Sequence, residues 1–101
     1  MASRLELQTL LEKLLGSTNV YYQPPESIKM AYPAIRYTKT KIESKYANDK
    51  KYSKMRCYEI IVIDSNPDNK VIDEILELPY SNFDRHYKAD NLNHDVITLY
   101  F

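Results

Sequence analysis

The spacing of apolar residues near the N-terminus is that of an amphipathic helix. Leucines recur at intervals of three and four positions, at Leu7, Leu10, Leu11, Leu14 and Leu15. These intervals place the side chains on one face of a helix. We therefore predict a first helix that packs this face onto the rest of the fold.

The residues that flank this stripe indicate where the helix begins and ends. Ser3 and Glu6 have the spacing of a capping box, in which each side chain accepts a hydrogen bond from a backbone N–H group that the first turn leaves unpaired. Gly16, the one glycine of the chain, follows the last leucine. A left-handed glycine there would close the helix.

The middle of the chain has the alternating pattern of β-strands. Residues 19–22 form a short β-favouring segment, and the prolines within residues 23–33 make that stretch a connection. Alternation over 34–46 and a stronger β run over 52–64 then predict a long hairpin. Its polar tip, residues 47–51, and its basic arms predict that it projects from the core.

The last third of the chain predicts a second helix and a final pair of strands. The segment Ser65-Asn66-Pro67-Asp68 offers an N-cap followed by proline at the first helical position, an apolar stripe follows over 71–76, and Pro79 ends the helix. Strands are expected near 82–88 and 94–101. The fold class is therefore α+β, with two helices packed on a mostly antiparallel sheet in the order α-β-β-β-α-β-β, within a single domain, 1–101.

Charge is distributed unevenly along the chain although the formal net charge is zero. Residues 36–56 hold eight basic and two acidic residues, a net +6, whereas residues 57–101 hold three basic and nine acidic residues, a net −6. This asymmetry suits head-to-tail contact between copies, or a basic arm that faces nucleic acid. The candidate interface residues are Arg36, Lys39, Lys41, Lys45, Tyr46, Lys50, Lys51, Tyr52 and Lys54.

Composition further narrows the class of protein. No run of about 18 apolar residues is present, and the N-terminus does not read as a signal peptide, so we expect synthesis in a cytoplasm and no membrane contact. The ten tyrosines are more than a small core can enclose, and tyrosine is suited to protein interfaces.

Both histidines lie near the C-terminus, among three aspartates. His86 and His94, with Asp84, Asp90 and Asp95, have the residue types of a carboxylate–histidine metal site, but they lack the spacing of a known metal motif. In a regular hairpin His86 lies on the face opposite Phe83, Arg85 and Tyr87. We interpret the five residues as the turn and polar face of a hairpin, a candidate assembly surface, and keep a small metal-dependent hydrolase as an alternative.

The remaining kinds of catalytic site are weakly indicated. Cys57 lies inside an alternating strand, with no glycine after it and no helix N-terminus to lower its pKa, which favours a buried, inert thiol over a nucleophile. Phosphate-binding loops need several glycines. We therefore expect no catalytic residue, no metal and no cofactor.

Several segments together resemble the small tail-completion proteins, or tail terminators, of tailed bacteriophages and prophages. The resemblance covers nearly the whole chain and is carried by the segments Tyr32-Pro33-Ala34-Ile35-Arg36-Tyr37, Ala47-Asn48-Asp49 followed by Tyr52, Tyr58-Glu59-Ile60-Ile61-Val62-Ile63-Asp64, Phe83-Asp84-Arg85-His86-Tyr87 and Asp90-Asn91-Leu92-Asn93-His94. It rests on element order and on aromatic and polar positions, because these proteins have no catalytic motif.

The resemblance implies a non-enzymatic structural protein. Such proteins assemble as a homo-oligomeric ring, usually a hexamer, that caps the head-proximal end of the tail tube and joins it to the head connector. The protein would be made in the host bacterial cytoplasm and end in the tail or neck of the virion, with passage of DNA through the ring left open. The alternatives are a head-side connector or stopper protein and a nucleic-acid-binding protein.

Overall fold

The computed structural model describes residues 4–25, 29, 31–47 and 50–101; within 41–47 and 50–55 it describes the backbone and, of the side chains, that of Ile42. The predicted α+β fold and element order are confirmed. The elements are α1 (Arg4–Leu15), β1 (Val20–Tyr22), β2 (Ala34–Ala47), β3 (Lys50–Asp64), α2 (Lys70–Leu76), β4 (Ser81–Ala89) and β5 (Leu92–Tyr100). No helix in these ranges is long and apolar enough to cross a membrane.

The five strands form one sheet in the order β1-β2-β3-β5-β4. β1 pairs with β2 in parallel, and the three other pairings are antiparallel. β3 and β5 lie in the middle of this order, which explains why the run Ile60-Ile61-Val62-Ile63 is apolar at every position: all four side chains are buried, alternately on the two faces.

The main core lies between the two helices and one face of the sheet. The helices contribute Leu7, Leu11, Val71 and Ile75. From the sheet come Val20, Ile35, Tyr37, Tyr58, Ile60, Val62, Ile97 and Leu99. On the opposite face, Ile61, Ile63 and Val96 form a smaller cluster with Tyr87 and Leu92 packed against it. We call the first face the helix face and the second the open face.

Helix α1 ends as the sequence predicts. Gly16 has a φ of 76°, and the backbone N–H groups of Gly16 and Ser17 both donate to the carbonyl of Glu12, at 2.9 and 3.2 Å. The left-handed residue thus lets one carbonyl of the last turn accept two donors. The predicted capping box includes Ser3, which lies outside the described residues.

Helix α2 begins later than the sequence predicts. Its N-cap is Asn69, whose side chain accepts a hydrogen bond from the backbone N–H of Val71 at 2.8 Å. The prediction that the segment Ser65-Asn66-Pro67-Asp68 holds the N-cap, with Pro67 as the first helical residue, is therefore wrong. Asn66 instead accepts from the N–H of Asp68 at 3.0 Å, which makes 65–68 a turn ahead of the helix.

Polar side chains fix α1 against β1 and β2. The Tyr37 hydroxyl donates to Gln8 Oε1 at 2.5 Å, and Gln8 Nε2 donates to the carbonyl of Val20 at 3.0 Å. Arg4 donates to the same hydroxyl at 3.3 Å and lies over the ring of Tyr22 at 4.4 Å. Burial raises the pKa of the Tyr37 phenol above its ordinary value of 10.0, with the cation of Arg4 acting in the opposite direction.

Candidate functional site

The β2–β3 hairpin extends beyond the rest of the sheet as a two-stranded arm. β5 stops pairing with β3 where Tyr100 lies opposite Cys57, and the last contact is the pair of backbone hydrogen bonds between Arg56 and Phe101, at 2.8 and 3.3 Å. From Lys41 to Ala47 on β2, and from Lys50 to Arg56 on β3, the strands pair with each other. We call these two strand segments and their connection the arm.

The arm accounts for the elongated shape of the protein. The molecule measures 51 × 25 × 22 Å along its principal axes. Seven strand residues from Lys41 to Ala47 reach about 20 Å. Register shifts lie at Thr40 and between Lys45 and Tyr46, and bulges of this kind increase strand twist.

A hydrogen bond accompanies the first shift at the base of the arm. The Thr40 hydroxyl donates to the carbonyl of Cys57 at 3.1 Å, while Lys39 and Lys41 pair with Tyr58 and Cys57. The side chain of Ile42, immediately beyond this point, is exposed. The arm therefore leaves the core directly at its base.

The nine basic and tyrosine residues predicted to form an interface divide between the sheet and the arm. Arg36 pairs with Ile61 in the sheet and is half-buried, and Lys39 pairs with Tyr58 and is exposed. The arm carries the other seven, Lys41, Lys45, Tyr46, Lys50, Lys51, Tyr52 and Lys54. Residues 41–56 hold six basic and two acidic residues, a net charge of +4, so the positive charge projects away from the core.

The β4–β5 hairpin, the second candidate surface, has a two-residue turn. Asp90 and Asn91 have φ values of 52° and 62°, and Ala89 pairs with Leu92 across them. Positive φ at both central positions is the signature of a type I′ turn, in which Asp and Asn are favoured. Asp90 is thus placed at the tip of the hairpin by its backbone conformation.

His86 and Asp95 form a cross-strand pair on the helix face. His86 Nδ1 lies 2.6 Å from Asp95 Oδ1, and Asp95 is only 6% exposed. An ionised carboxylate only accepts, so Nδ1 carries the proton in this contact. The side chain of Asp95 lies on the same face of β5 as those of Ile97 and Leu99, both of which belong to the main core.

The prediction for His86 holds relative to Arg85 and Tyr87 and is wrong relative to Phe83. The sequence alternation put His86 opposite Phe83, but Phe83 pairs with Ile97 and His86 pairs with Asp95, which share one face. Asp84 is an extra residue between the paired Phe83 and Arg85, and this bulge reverses the alternation of every later residue in β4. Asp84 itself makes an exposed ion pair with Arg85, at 2.6 Å.

His94 lies on the open face, opposite His86 in orientation. It pairs with Tyr87, and the two rings stack with centroids 4.7 Å apart and an interplanar angle of 12°. His94 Nδ1 lies 3.1 Å from the carbonyl oxygen of Leu92, which can only accept, so this nitrogen carries the proton. The five polar residues therefore occupy two faces, a bulge and a turn.

This arrangement bears on the metal and nucleophile hypotheses. The two histidines point to opposite faces of one sheet, so they cannot bind the same ion within this chain. Cys57 is buried, and it lies six positions along β3 from Ile63, the partner of His94, which is about 20 Å. No group of three or more potential metal-binding side chains occurs in the part of the chain that the structure describes.

Two exposed aromatic residues at the start of β4 were not singled out from the sequence. Tyr80 is 67% exposed and Phe83 is 47% exposed. Tyr80 has a φ of 63°, a conformation that is uncommon for an aromatic residue. Pro79, which precedes Tyr80, is a local signal for the end of the helix, but it does not reveal that either ring is exposed.

No protein-family model matches this chain, and no curated protein is significantly similar to it.

Proposed function

We propose that the protein is a structural subunit of a tailed bacteriophage, which completes the tail by assembling as a ring on the head-proximal end of the tail tube. Six copies would form this ring, in keeping with the resemblance to tail-completion proteins. The protein acts by binding and has no turnover. The observation that carries this proposal is the basic arm, whose two strand segments extend beyond β5 and, among the described strands, pair with each other alone.

The arm is an unusual feature for a protein that works alone. An isolated two-stranded hairpin is at best marginally stable in water, because it has no further strand or helix to cover it. Contact with a neighbouring copy or with the tail tube would supply that cover. The arm is thus explained most simply as an assembly element.

The distribution of charge supports the same proposal. The arm is positive, and residues 57–101, which include α2, β4 and β5, have a net charge of −6. One copy can therefore attract the next head to tail, a kind of contact that closes into a ring when the rotation allows it. Weak contacts of this type act together only on the end of a tube, which would restrict assembly to that place.

The resemblance to tail-completion proteins supplies the biological setting. The subunit would be made in the host cytoplasm and be found in the virion, between the tail-tube protein and the head connector. The resembling segments 83–87 and 90–94 form the β4–β5 hairpin. We propose that this hairpin lies at one of those interfaces.

Sizing of the purified protein tests the proposal. Light scattering after gel filtration, with and without the tail-tube protein from the same genome and at low and high salt, should reveal a ring-sized species that the tube promotes. A protein that stays monomeric and ignores the tube under all these conditions would contradict it. A head-side stopper would bind the connector protein but not the tube.

The arm also suits a second function, the binding of nucleic acid. A two-stranded ribbon can enter the major groove of DNA, and lysines can neutralise phosphates. Replacing Lys45, Lys51 and Lys54 with Gln should then weaken DNA binding and reduce the slope of log affinity against log salt by about 0.9 for each phosphate that the variant no longer neutralises. An unchanged slope would contradict this alternative.

A further inference from the structure

The outward side of α2 and the start of β4 form a surface that nothing in the described chain covers. Three carboxylates on this side, Asp73, Glu74 and Glu77, are exposed. Within the described residues no ion pair engages them. The exposed rings of Tyr80 and Phe83 follow directly in the chain. We call these five residues the acceptor surface.

The backbone holds the two aromatic residues at the edge of the molecule. The carbonyl of Tyr80 accepts from the N–H of Tyr100 at 3.1 Å, and the Ser81 hydroxyl donates to the carbonyl of Leu78 at 2.7 Å. Tyr80 is thus fixed on both sides while its ring stays in solvent. Exposed aromatic rings on an ordered backbone are typical of contact surfaces, since their rotamers lose little entropy on binding.

Phe83 connects the rings to the acidic helix. It pairs with Ile97 on the helix face, and α2 contacts β4 on that same face. β4 is an edge strand of the sheet that the described residues form, and the ring of Phe83 is exposed there. We therefore treat the carboxylates of α2 and the two rings as one surface.

We propose that the acceptor surface receives the arm of a second copy of this chain. This inference rests on the proposed ring, and it names the contact that builds it. The arm has a net charge of +4 over residues 41–56 and contains Tyr46 and Tyr52, so its charge and residue types complement carboxylates flanked by aromatic rings.

Size and geometry agree with this occupant. The arm reaches about 20 Å. The seven residues of α2 span about 10 Å, and the start of β4 extends the surface further. Because arm and acceptor are different parts of the chain, each copy can give an arm on one side and accept an arm on the other. Nucleic acid does not fit the acceptor surface, because three carboxylates repel phosphate.

Charge exchange between two variants tests this contact. In the acceptor variant Asp73, Glu74 and Glu77 are all replaced by Lys; in the arm variant Lys50, Lys51 and Lys54 are all replaced by Glu. Within either variant alone, the arm and the acceptor surface would have charges of the same sign and would repel each other. We expect self-association, measured by sedimentation velocity with and without the tail-tube protein, to weaken about tenfold or more in each.

An equimolar mixture of the two variants should recover association. A negative arm then meets a positive acceptor, and a positive arm meets a negative acceptor, so the two chains can alternate around a ring with an even number of copies. A matched control, Lys13→Glu with Lys29→Glu at two exposed positions, shifts the net charge in the same direction as the arm variant but leaves the arm unchanged. It should associate like the wild type.

The apolar part of the surface has its own test. Phe83→Ala and Tyr80→Ala, checked for folding by thermal melting, should each weaken association while a Leu5→Ala control, at another exposed apolar position, should not.

The outcomes separate this inference from the proposed function. The arm–acceptor contact would be overturned if the two folded variants failed to recover association when mixed. It would also be overturned if the acceptor variant associated like the wild type. If that acceptor variant still binds the tail tube as a ring, the proposed function stands. A wild type that neither self-associates nor binds the tube overturns both.

Discussion

At the scale of single residues, the pair His86 and Asp95 shows how a hydrogen bond between neighbouring strands allows a carboxyl group to be buried. Asp95 is almost fully buried, and within the described residues the imidazole of His86 is its hydrogen-bonding partner. A buried carboxylate without a partner is costly. The contact between His86 and Asp95 thus has a structural explanation that needs no reaction.

Removal of His86 should therefore destabilise the fold. We expect His86→Ala to lower the free energy of unfolding by about 1–3 kcal/mol, since Asp95 keeps its burial and loses its donor. In a double-mutant cycle with Asp95→Ala, urea denaturation should give a coupling energy of about 1 kcal/mol or more. If the changes in unfolding free energy of the two replacements simply added, the contact between the two side chains would not contribute to stability.

Tyr37 gives a prediction about alkaline pH. Burial raises the pKa values of Tyr37 and Tyr58 in the folded chain, so above about pH 10 the unfolded chain releases phenolic protons that the folded chain retains. Their contribution to stability is complete below that pH and is lost as the pH rises through the folded pKa. Urea denaturation from about pH 8.5 to 11.5 should show falling stability.

The variant Tyr37→Phe isolates one of these two groups. It should be less stable at neutral pH by about 1 kcal/mol, because Gln8 loses a donor. Its stability should also fall less steeply above about pH 10 than that of the wild type. Equal slopes for the two proteins would contradict the attribution to Tyr37.

At the scale of elements, the end of α1 and the start of α2 both follow capping rules that are local in sequence. Those rules predicted the first correctly and the second wrongly. The end of α1 was predictable because only one residue type, glycine, adopts a left-handed conformation without strain. The start of α2 was not, because Ser65, Asn66 and Asn69 are all good N-caps. Asn69 is the one that also donates to Asp64, at 2.7 Å, at the end of β3, so tertiary contact selected it.

Gly16 allows a clean test of the helix end. A Cβ added there meets no heavy atom within 4 Å, so Gly16→Ala changes backbone strain without a clash. We expect it to lower the free energy of unfolding by about 1 kcal/mol, and Gly16→Asn by less. Equal stability of the alanine variant and the wild type would mean that the helix end relaxes out of its left-handed conformation.

The arm should be separable from the fold. Replacing residues 44–54 with Asn-Gly, to link Glu43 and Met55 through a tight turn, leaves the buried residues of the main core in place. The melting temperature should change by no more than a few degrees, while self-association is abolished. Collapse of the fold on shortening would show that the arm stabilises its own chain.

At the scale of the whole molecule, the protein is a compact body with a charged extension. The arm has a net charge of +4 and residues 57–101 have a net charge of −6, so the opposite charges lie in different segments of the chain. Such an arrangement allows one copy to attract another. The zero net charge of the chain therefore conceals an asymmetry that suits head-to-tail contact between copies.

Association should accordingly depend on salt. The Debye length falls from about 10 Å at 0.1 M to about 3 Å at 1 M ionic strength, so charge contacts at the surface weaken over this range. With the tail-tube protein present, sedimentation velocity should show oligomers of the wild type dissociating as NaCl rises, whereas the arm-shortened variant should show no such change. Oligomers that grow with salt would indicate an interface dominated by apolar contact.

Hydrophobic periodicity and the placement of glycine and proline are local properties, so the order of amino acids was enough to predict which segments are helices and strands. The charge asymmetry and the long hairpin could be predicted in the same way. The faces of the strands could not: one extra residue, Asp84, turns His86 to the helix face, and the position of α2 beside β4 brings the residues of the acceptor surface near each other. Strand register and helix packing depend on contacts between residues distant in sequence, and a local pattern does not contain them.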